Sequence, residues 1–314
     1  MAPFDDLLSI IVVESMDPDV GGEVVGGGAG RSSVGGGITL TTTDAIVGNK
    51  DARTERGEAE EGCADGGGHV LGNFPNYAEF HSSSSRMELV DDEFWNKLLN
   101  PSHLRSKAPA ANTTLRILDL GCNTGEFTRS LHEEAQRRVA LHLPRGCPFS
   151  SVHTTGVDLD PALVAKAAAE SSPLQDSLTF VPCDANTFLD ATVDAAYDLV
   201  TLMSTTMWVH LNQGDAGLVH LLLGVRRVAR VAAVVEPQPW ACYTKAARRL
   251  RVRGVKDAPW QPSSLELSKD KLLAHISKLM SRGDRNDSED AFEERVLGVT
   301  PWKRTISVYF RTYQ

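Results

Sequence analysis

The chain lacks several features that would settle its class at once. Its five cysteines (Cys63, Cys122, Cys147, Cys183 and Cys242) are widely spaced, and no C-x-x-C pair occurs. That argues against a zinc site or a disulfide framework and fits a reducing compartment. No apolar run reaches the roughly 18 residues of a membrane span. Leu7 to Val13 is apolar, but Asp5 and Asp6 stand where a secretory leader would carry basic residues. Positive charge is scarce at the start: residues 1–70 hold 13 Asp/Glu and 4 Lys/Arg. That imbalance equals the −9 of the whole 314-residue chain, so residues 71–314 are balanced. A balanced remainder leaves an anionic partner open to it.

Residues 1–70 also lack the apolar content of a core. They are rich in Gly, Ser, Thr and acid, with runs such as Gly26-Gly27-Gly28 and Gly66-Gly67-Gly68. Such a segment cannot bury enough apolar surface to offset its ordering entropy, and disorder is expected. From Leu71 the texture changes, so a domain is expected over 71–314.

The most informative stretch is Leu115-Arg116-Ile117-Leu118-Asp119-Leu120-Gly121-Cys122-Asn123-Thr124-Gly125. A short apolar run, the mark of a buried parallel strand, ends in a glycine turn. A helix is expected from Glu126 to Ala140. Strand, glycine turn and helix bring backbone to a ligand at the strands' carboxyl ends, and Gly121 and Gly125 have no side chain to block it. The G-x-x-x-G spacing is not the dinucleotide G-x-G-x-x-G. It resembles motif I of class I methyltransferases, which bind S-adenosylmethionine. A second strand, Thr155 to Asp160, ends in acid where a ribose diol is commonly held. A third, Ser177 to Val181, ends near Asp184.

The rest alternates in the same way. A helix is expected over Met87 to Leu99, a loop over Leu141 to Thr154, and a helix over Pro161 to Glu170. Strand four is expected at Tyr197 to Met203, a helix at Gly214 to Val228, and strand five at Val231 to Val235. A helix at Leu265 to Met280 and strands at Arg295 to Val299 and Thr305 to Phe310 close the chain. This pattern predicts an α/β fold: a doubly wound, mostly parallel seven-stranded sheet with helices on both faces.

Two loops lie on the ligand side. Ser204 to Asp215 offers hydroxyls, Trp208 and His210, where the structural alternative is core packing and a helix cap. Glu236-Pro237-Gln238-Pro239-Trp240-Ala241-Cys242-Tyr243 precedes Lys245, Arg248, Arg249, Arg251, Arg253 and Lys256. On a helix, Lys245, Arg248, Arg249 and Arg253 share a stripe, to which Arg226, Arg227 and Arg230 could add. A charge run is usually a solvated face. With Trp240 and Tyr243 beside it, this one suits phosphate and base contact.

Asn73-Phe74-Pro75-Asn76-Tyr77 with Phe80-His81, Thr206 to Asn212, and Glu236 to Trp240 together resemble the bicoid-interacting methyltransferase family over residues 71–314. The first block and Trp240 to Leu250 most resemble its RNA 5′-monophosphate branch. The resemblance implies methyl transfer from S-adenosylmethionine to an RNA 5′-terminal phosphate, with histidine transfer RNA a substrate of that branch. It implies cofactor contacts at Arg86, Asn123, Asp158, Asp184 and Ala185, with Met203, Gly121 and Gly125 beside them. Arg86 would pair with the methionine carboxylate, Asp158 with the ribose and Asp184 with the adenine amino group, Ala185 packing by the ring. Asn73, Tyr77 and His210 are the candidates for holding the acceptor phosphate. Trp240, Tyr243, Lys245, Arg248 and Arg249 are those for RNA. Ser82 to Ser85 replaces a proline-containing stretch of the family, and Glu79 stands where a basic or neutral residue would favour RNA. A monomer that uses no metal and no membrane is expected, in the cytoplasm or alternatively the nucleus. The alternatives are methylphosphate capping of a 5′-triphosphate, methylation of a small anionic metabolite, and RNA binding without catalysis.

Overall fold

The computed structural model describes residues 72, 77, 81–100, 113–174, 176–252, 261–282 and 291–312. The expected disorder of 1–70, and Asn73, Phe74, Phe80, Arg253 and Lys256, lie outside these. Eight helices and seven strands follow in order among the described residues. They are α1 (Ser83–Met87), α2 (Asp92–Leu99), β1 (Thr113–Leu120), α3 (Glu126–His142), β2 (Phe149–Asp158), α4 (Pro161–Glu170), β3 (Leu178–Pro182), α5 (Ala185–Ala191), β4 (Tyr197–Met203), α6 (Thr206–Val228), β5 (Ala229–Glu236), α7 (Trp240–Val252), α8 (Asp270–Arg282), β6 (Ala291–Val299) and β7 (Thr305–Thr312).

The strands form one sheet in the order β3-β2-β1-β4-β5-β7-β6. Its first five strands pair in parallel, and β7 runs antiparallel to both β5 and β6. This is the class I methyltransferase sheet that the strand–helix alternation predicts. The chain reverses strand order between β1 and β4, which opens a crevice at their carboxyl ends.

Both faces are covered. On one face Leu118, Leu120, Val200, Leu202, Ala233 and Val235 pack against α5, α6, α7 and α8. On the other Leu115, Ile117, Leu199, Val231 and Val234 pack against α2 and α3. Neighbours in a strand face opposite sides, so a strand buried on both reads as an unbroken apolar run. Helix α2 shows how little sequence an element needs. The Asp91 carboxylate accepts from the Phe94 amide at 2.8 Å and caps its start, worth about 1 kcal/mol. Its Phe94, Trp95, Leu98 and Leu99 are buried, each contributing about 1.5–3 kcal/mol.

Four expectations need correction. The helix foreseen over Met87 to Leu99 is α2 alone, which begins at Asp92 because Asp91 caps its start, and Met87 ends the separate helix α1. The loop foreseen over Leu141 to Thr154 is shorter, since β2 begins at Phe149, which is fully buried. The stretch Thr206 to Gln213 is helix rather than loop, and α6 breaks at Gly214 (φ 68°, ψ −170°). Gln238 explains that helix: its Oε1 accepts from the Met207 amide at 3.0 Å and the Thr206 hydroxyl at 2.9 Å. The helix foreseen from Leu265 begins at Asp270.

Candidate functional site

The β1–α3 turn is fixed by the neighbouring strand. The amides of Gly121 and Cys122 donate to the Val157 carbonyl at 2.7 and 3.0 Å. The Asn123 amide donates to Asp158 Oδ2 at 2.8 Å, and Asn123 takes a left-handed φ of 52°. The glycines do more than clear a path for a ligand. A Cβ on Gly121 would stand 2.1 Å from Thr205 Oγ1, and one on Gly125 would stand 2.8 Å from the Phe180 ring. The chain's own side chains fill the space the glycines leave. Their positive φ values (79° and 75°) further exclude ordinary residues.

Above the turn lies a cleft, and Asn123, Gly121 and Met203 line it with Tyr77, His81, Arg86 and Asp119. The floor carboxylate, Asp119, is buried and accepts from the hydroxyls of Thr128 and Thr201 at 2.6 and 2.7 Å. Burial pushes its pKa up. Asp158 stands at the end of β2. Each of its oxygens accepts one backbone amide, from Asn123 and from Asp160. Each keeps a lone pair that a ribose hydroxyl could use. Asp184 caps α5 through Oδ1, accepting from the amides of Asn186 and Thr187, while Oδ2 takes Gln213 Nε2 at 2.8 Å. Ala185 follows it, half-buried.

At the other end of the cleft is a polar cluster that local sequence does not announce. Glu236, at the end of β5, is fully buried. Its Oε2 accepts from Arg86 Nε at 2.6 Å. Its Oε1 accepts from Ser204 Oγ at 2.7 Å, Trp302 Nε1 at 2.9 Å and Arg304 Nη1 at 3.2 Å. Burial works to raise the Glu236 carboxyl, but Arg86, with Trp302 and Ser204, holds it below the usual range. The Tyr77 hydroxyl accepts from Arg86 Nη2 at 2.9 Å and from Arg304 Nη1 at 3.1 Å. His81 stacks on Tyr77 at 4.4 Å and meets Trp302 edge-on at 4.8 Å. Burial, then Arg304 and Arg86, push its pKa down to about 4.

The candidates for acceptor binding divide. Tyr77 lines the cleft. His210 does not: it is fully buried in α6, with Nδ1 3.0 Å from the Tyr243 hydroxyl and Nε2 2.9 Å from Asp215 Oδ1. A carboxylate can only accept, so Nε2 carries the proton and Nδ1 takes the tyrosine's. Asp215 also accepts the amides of Glu266 and Leu267 at 2.9 and 2.8 Å. The imidazole thus ties α6 to α7 and to the segment before α8. Asn73 lies outside the described residues. Tyr243 is likewise buried, against Trp240 at 4.9 Å, so it has no face for RNA. Trp240 is half-buried, and Lys245, Arg248 and Arg249 are exposed together on α7.

The other basic residues do not extend that stripe. Arg226 donates to the Met280 carbonyl, Arg227 to the Leu189 and Thr192 carbonyls, and Arg230 pairs with buried Asp198. Among the described residues no three His, Cys, Asp or Glu side chains converge as a metal site. No described helix is long and apolar enough to cross a membrane.

The chain is similar to several known proteins. The family model described as Bicoid-interacting protein 3 (Bin3) matches residues 197–311, which hold β4, Ser204, Glu236, α7 and Arg304. The chain is 34% identical over 270 residues to the RNA 5′-monophosphate methyltransferase of Bos taurus, across 79% of this chain and 82% of that protein. It is 32% identical over 266 residues to the pre-miRNA 5′-monophosphate methyltransferase of Xenopus laevis, across 78% of this chain and 93% of that one. Likeness to the 7SK snRNA methylphosphate capping enzyme of Mus musculus is weaker: 25% over 193 residues, 41% of this chain and 27% of that protein.

Proposed function

The chain belongs to the bicoid-interacting protein 3 family of RNA 5′-phosphate methyltransferases, and from that premise we propose that it methylates the 5′-monophosphate of a small RNA, a transfer RNA foremost. S-adenosylmethionine is the methyl donor. The donor set fits it: Asp158 keeps acceptor capacity at the end of β2, and Asn123 and Met203 line the cleft beside it. Arg86 is suited to the cofactor's carboxylate from the same wall, and Asp184 and Ala185 to its base. When bound, the cofactor supplies an electrophilic methyl on a positively charged sulfur.

The observation that carries the reading is a cleft over the β1 turn whose wall at Tyr77, His81 and Arg86 is backed by a cationic cluster. The β1 turn and the end of β2 beside it are suited to a nucleoside. In the cluster, two arginines and a tyrosyl hydroxyl surround a single buried carboxylate. A phosphate monoester has a second pKa of about 6, so near neutral pH it is already a dianion. Its oxygen forms the new C–O bond as the C–S bond breaks, and the bonding pair returns to sulfur. No proton moves, so no general base is required, and alignment does most of the work. Tyr77 holds the phosphate at the cleft wall. Lys245, Arg248 and Arg249 guide the strand by its phosphates, and Trp240 offers a ring at the start of the same helix.

The test is methyl transfer from labelled S-adenosylmethionine to one transfer RNA bearing a 5′-monophosphate, a 5′-triphosphate or a 5′-hydroxyl. Label on the monophosphate alone is expected. Label on the triphosphate would move the chain to the capping activity. Label on none, with cofactor still bound, would overturn the choice of acceptor.

A further inference from the structure

The charge at the acceptor end does not balance. Glu236 is fully buried, and the side chains of Arg86 and Arg304 are 4% and 10% exposed. Among the described residues of this cluster two guanidiniums share one carboxylate, while the neighbouring Asp119 is engaged by the Thr128 and Thr201 hydroxyls and pushed towards its neutral form by burial. His81 beside them stays neutral at ordinary pH and so adds no charge. A buried charge without a counter-charge is costly to keep; with Arg86 given to the cofactor's carboxylate, Arg304 is the cation of the pair open to a second anion.

Hydrogen-bond capacity is unspent at the same place. Arg304 Nε and His81 Nδ1 are buried and have no partner among the described residues. A buried donor left unmet costs about 1–3 kcal/mol. The Tyr77 hydroxyl oxygen already accepts from both arginines, so its own proton must be given elsewhere, and Tyr77 lines the cleft. Two cationic donors on one phenol oxygen make that O–H a stronger donor.

Arg304 also stands where two surfaces meet. Its Nη1 reaches Tyr77, Ser204 and Glu236 at the cleft. Its Nη2 approaches Cys242 Sγ at 3.9 Å, and Cys242 lies on α7, the helix that exposes Lys245 and Arg248. A strand guided by that helix would bring its 5′ end to Arg304.

We propose that Arg304 is the cation that recognises the acceptor's terminal phosphate, donating from Nε while its Nη1 keeps the Tyr77 hydroxyl aimed at a second phosphate oxygen. The third oxygen is then left to meet the methyl group. Glu236 holds the guanidinium in place without neutralising the pair. This rests on the reading of the chain as an RNA 5′-phosphate methyltransferase. A 5′-hydroxyl end offers neither the charge nor the oxygens, so Arg304 would set end specificity.

The experiment compares the dissociation constants of two RNAs differing only in a 5′-monophosphate or 5′-hydroxyl, using the full chain at one fixed salt. The wild type is expected to favour the phosphate by about tenfold or more. Arg304→Gln should bring that ratio close to one, with cofactor affinity and hydroxyl-RNA affinity unchanged. Arg304→Lys, which keeps the charge without the planar fork, should fall between them. Full preference in a cofactor-binding Arg304→Gln would overturn the proposal, even if the wild type methylates the monophosphate as expected. Should Arg304→Gln lose cofactor binding as well, Arg304→Lys decides, and an undiminished ratio there overturns it. A wild type with neither preference nor methyl transfer would overturn the functional reading, and this proposal with it.

Discussion

The two ends of the cleft are built differently. The end proposed for the cofactor is made of strand termini and the turns that follow them: Gly121 to Gly125, Asp158 and Asp184. Its contacts join neighbouring strands, and most of its hydrogen bonds use backbone amides. The acceptor end is made of side chains that meet across the chain. Arg86 and Glu236 are 150 positions apart, and Arg304 and Tyr77 are 227 apart. A fold that many enzymes share can keep the first end constant and vary the second. On the proposed reading a nucleoside would be held by topology, and an acceptor by whichever side chains the topology brings together.

This contrast predicts where substitutions act. The largest effect should fall on Glu236→Ala, which strips two buried arginines of their shared partner. Denaturant unfolding should show a loss of about 3–5 kcal/mol. An unchanged midpoint would mean the acceptor end is not held by this carboxylate.

Asp158→Ala should act at the other end. Isothermal titration should show cofactor affinity falling about 100-fold, with RNA affinity kept. Loss of both together would erase the division between the ends.

Lys245→Ala with Arg248→Ala should leave cofactor affinity alone and weaken RNA binding for either 5′ end. The slope of log affinity against log salt should drop by about two, near one per lost phosphate contact. An unchanged slope would return α7 to an ordinary solvated face.

The smallest effect concerns His81. Its folded pKa, about 4, lies below the ordinary 6.5, so the unfolded chain takes up a proton that the folded chain resists. Stability should therefore fall as pH drops from 6.5 towards 4, and should be untouched by this group above 6.5. Melting temperatures at pH 7.5 and 5.0 should differ more in the wild type than in His81→Asn. Equal differences would show that burial and the arginines do not hold His81 neutral in the folded chain.

What the sequence discloses follows the same division. Strand β4 is legible to the residue because both its faces are buried and its run is unbroken. The β1 turn and Asp158 are legible because strand, glycine and acid lie within a few positions. Helix α6 is hidden at its start, because its cap is Gln238, a side chain more than thirty positions on. His210 sits in a loop-like sequence, yet the fold buries it between Tyr243 and Asp215, and burial cannot be seen in composition. Arg304 lies in a plain turn between the last two strands with no motif around it. Only the pairing of β7 beside β5 brings it to Glu236.

The most direct measurement is the position of the transferred methyl. Transfer RNA with a 5′-monophosphate would be incubated with the chain and labelled cofactor, then digested to nucleosides and terminal phosphates. Label released with the terminal phosphate, and a 5′ end now resistant to phosphatase, is the expected result. Label on a base or a ribose would contradict it. The cationic end of the cleft would then serve some purpose other than seating the acceptor.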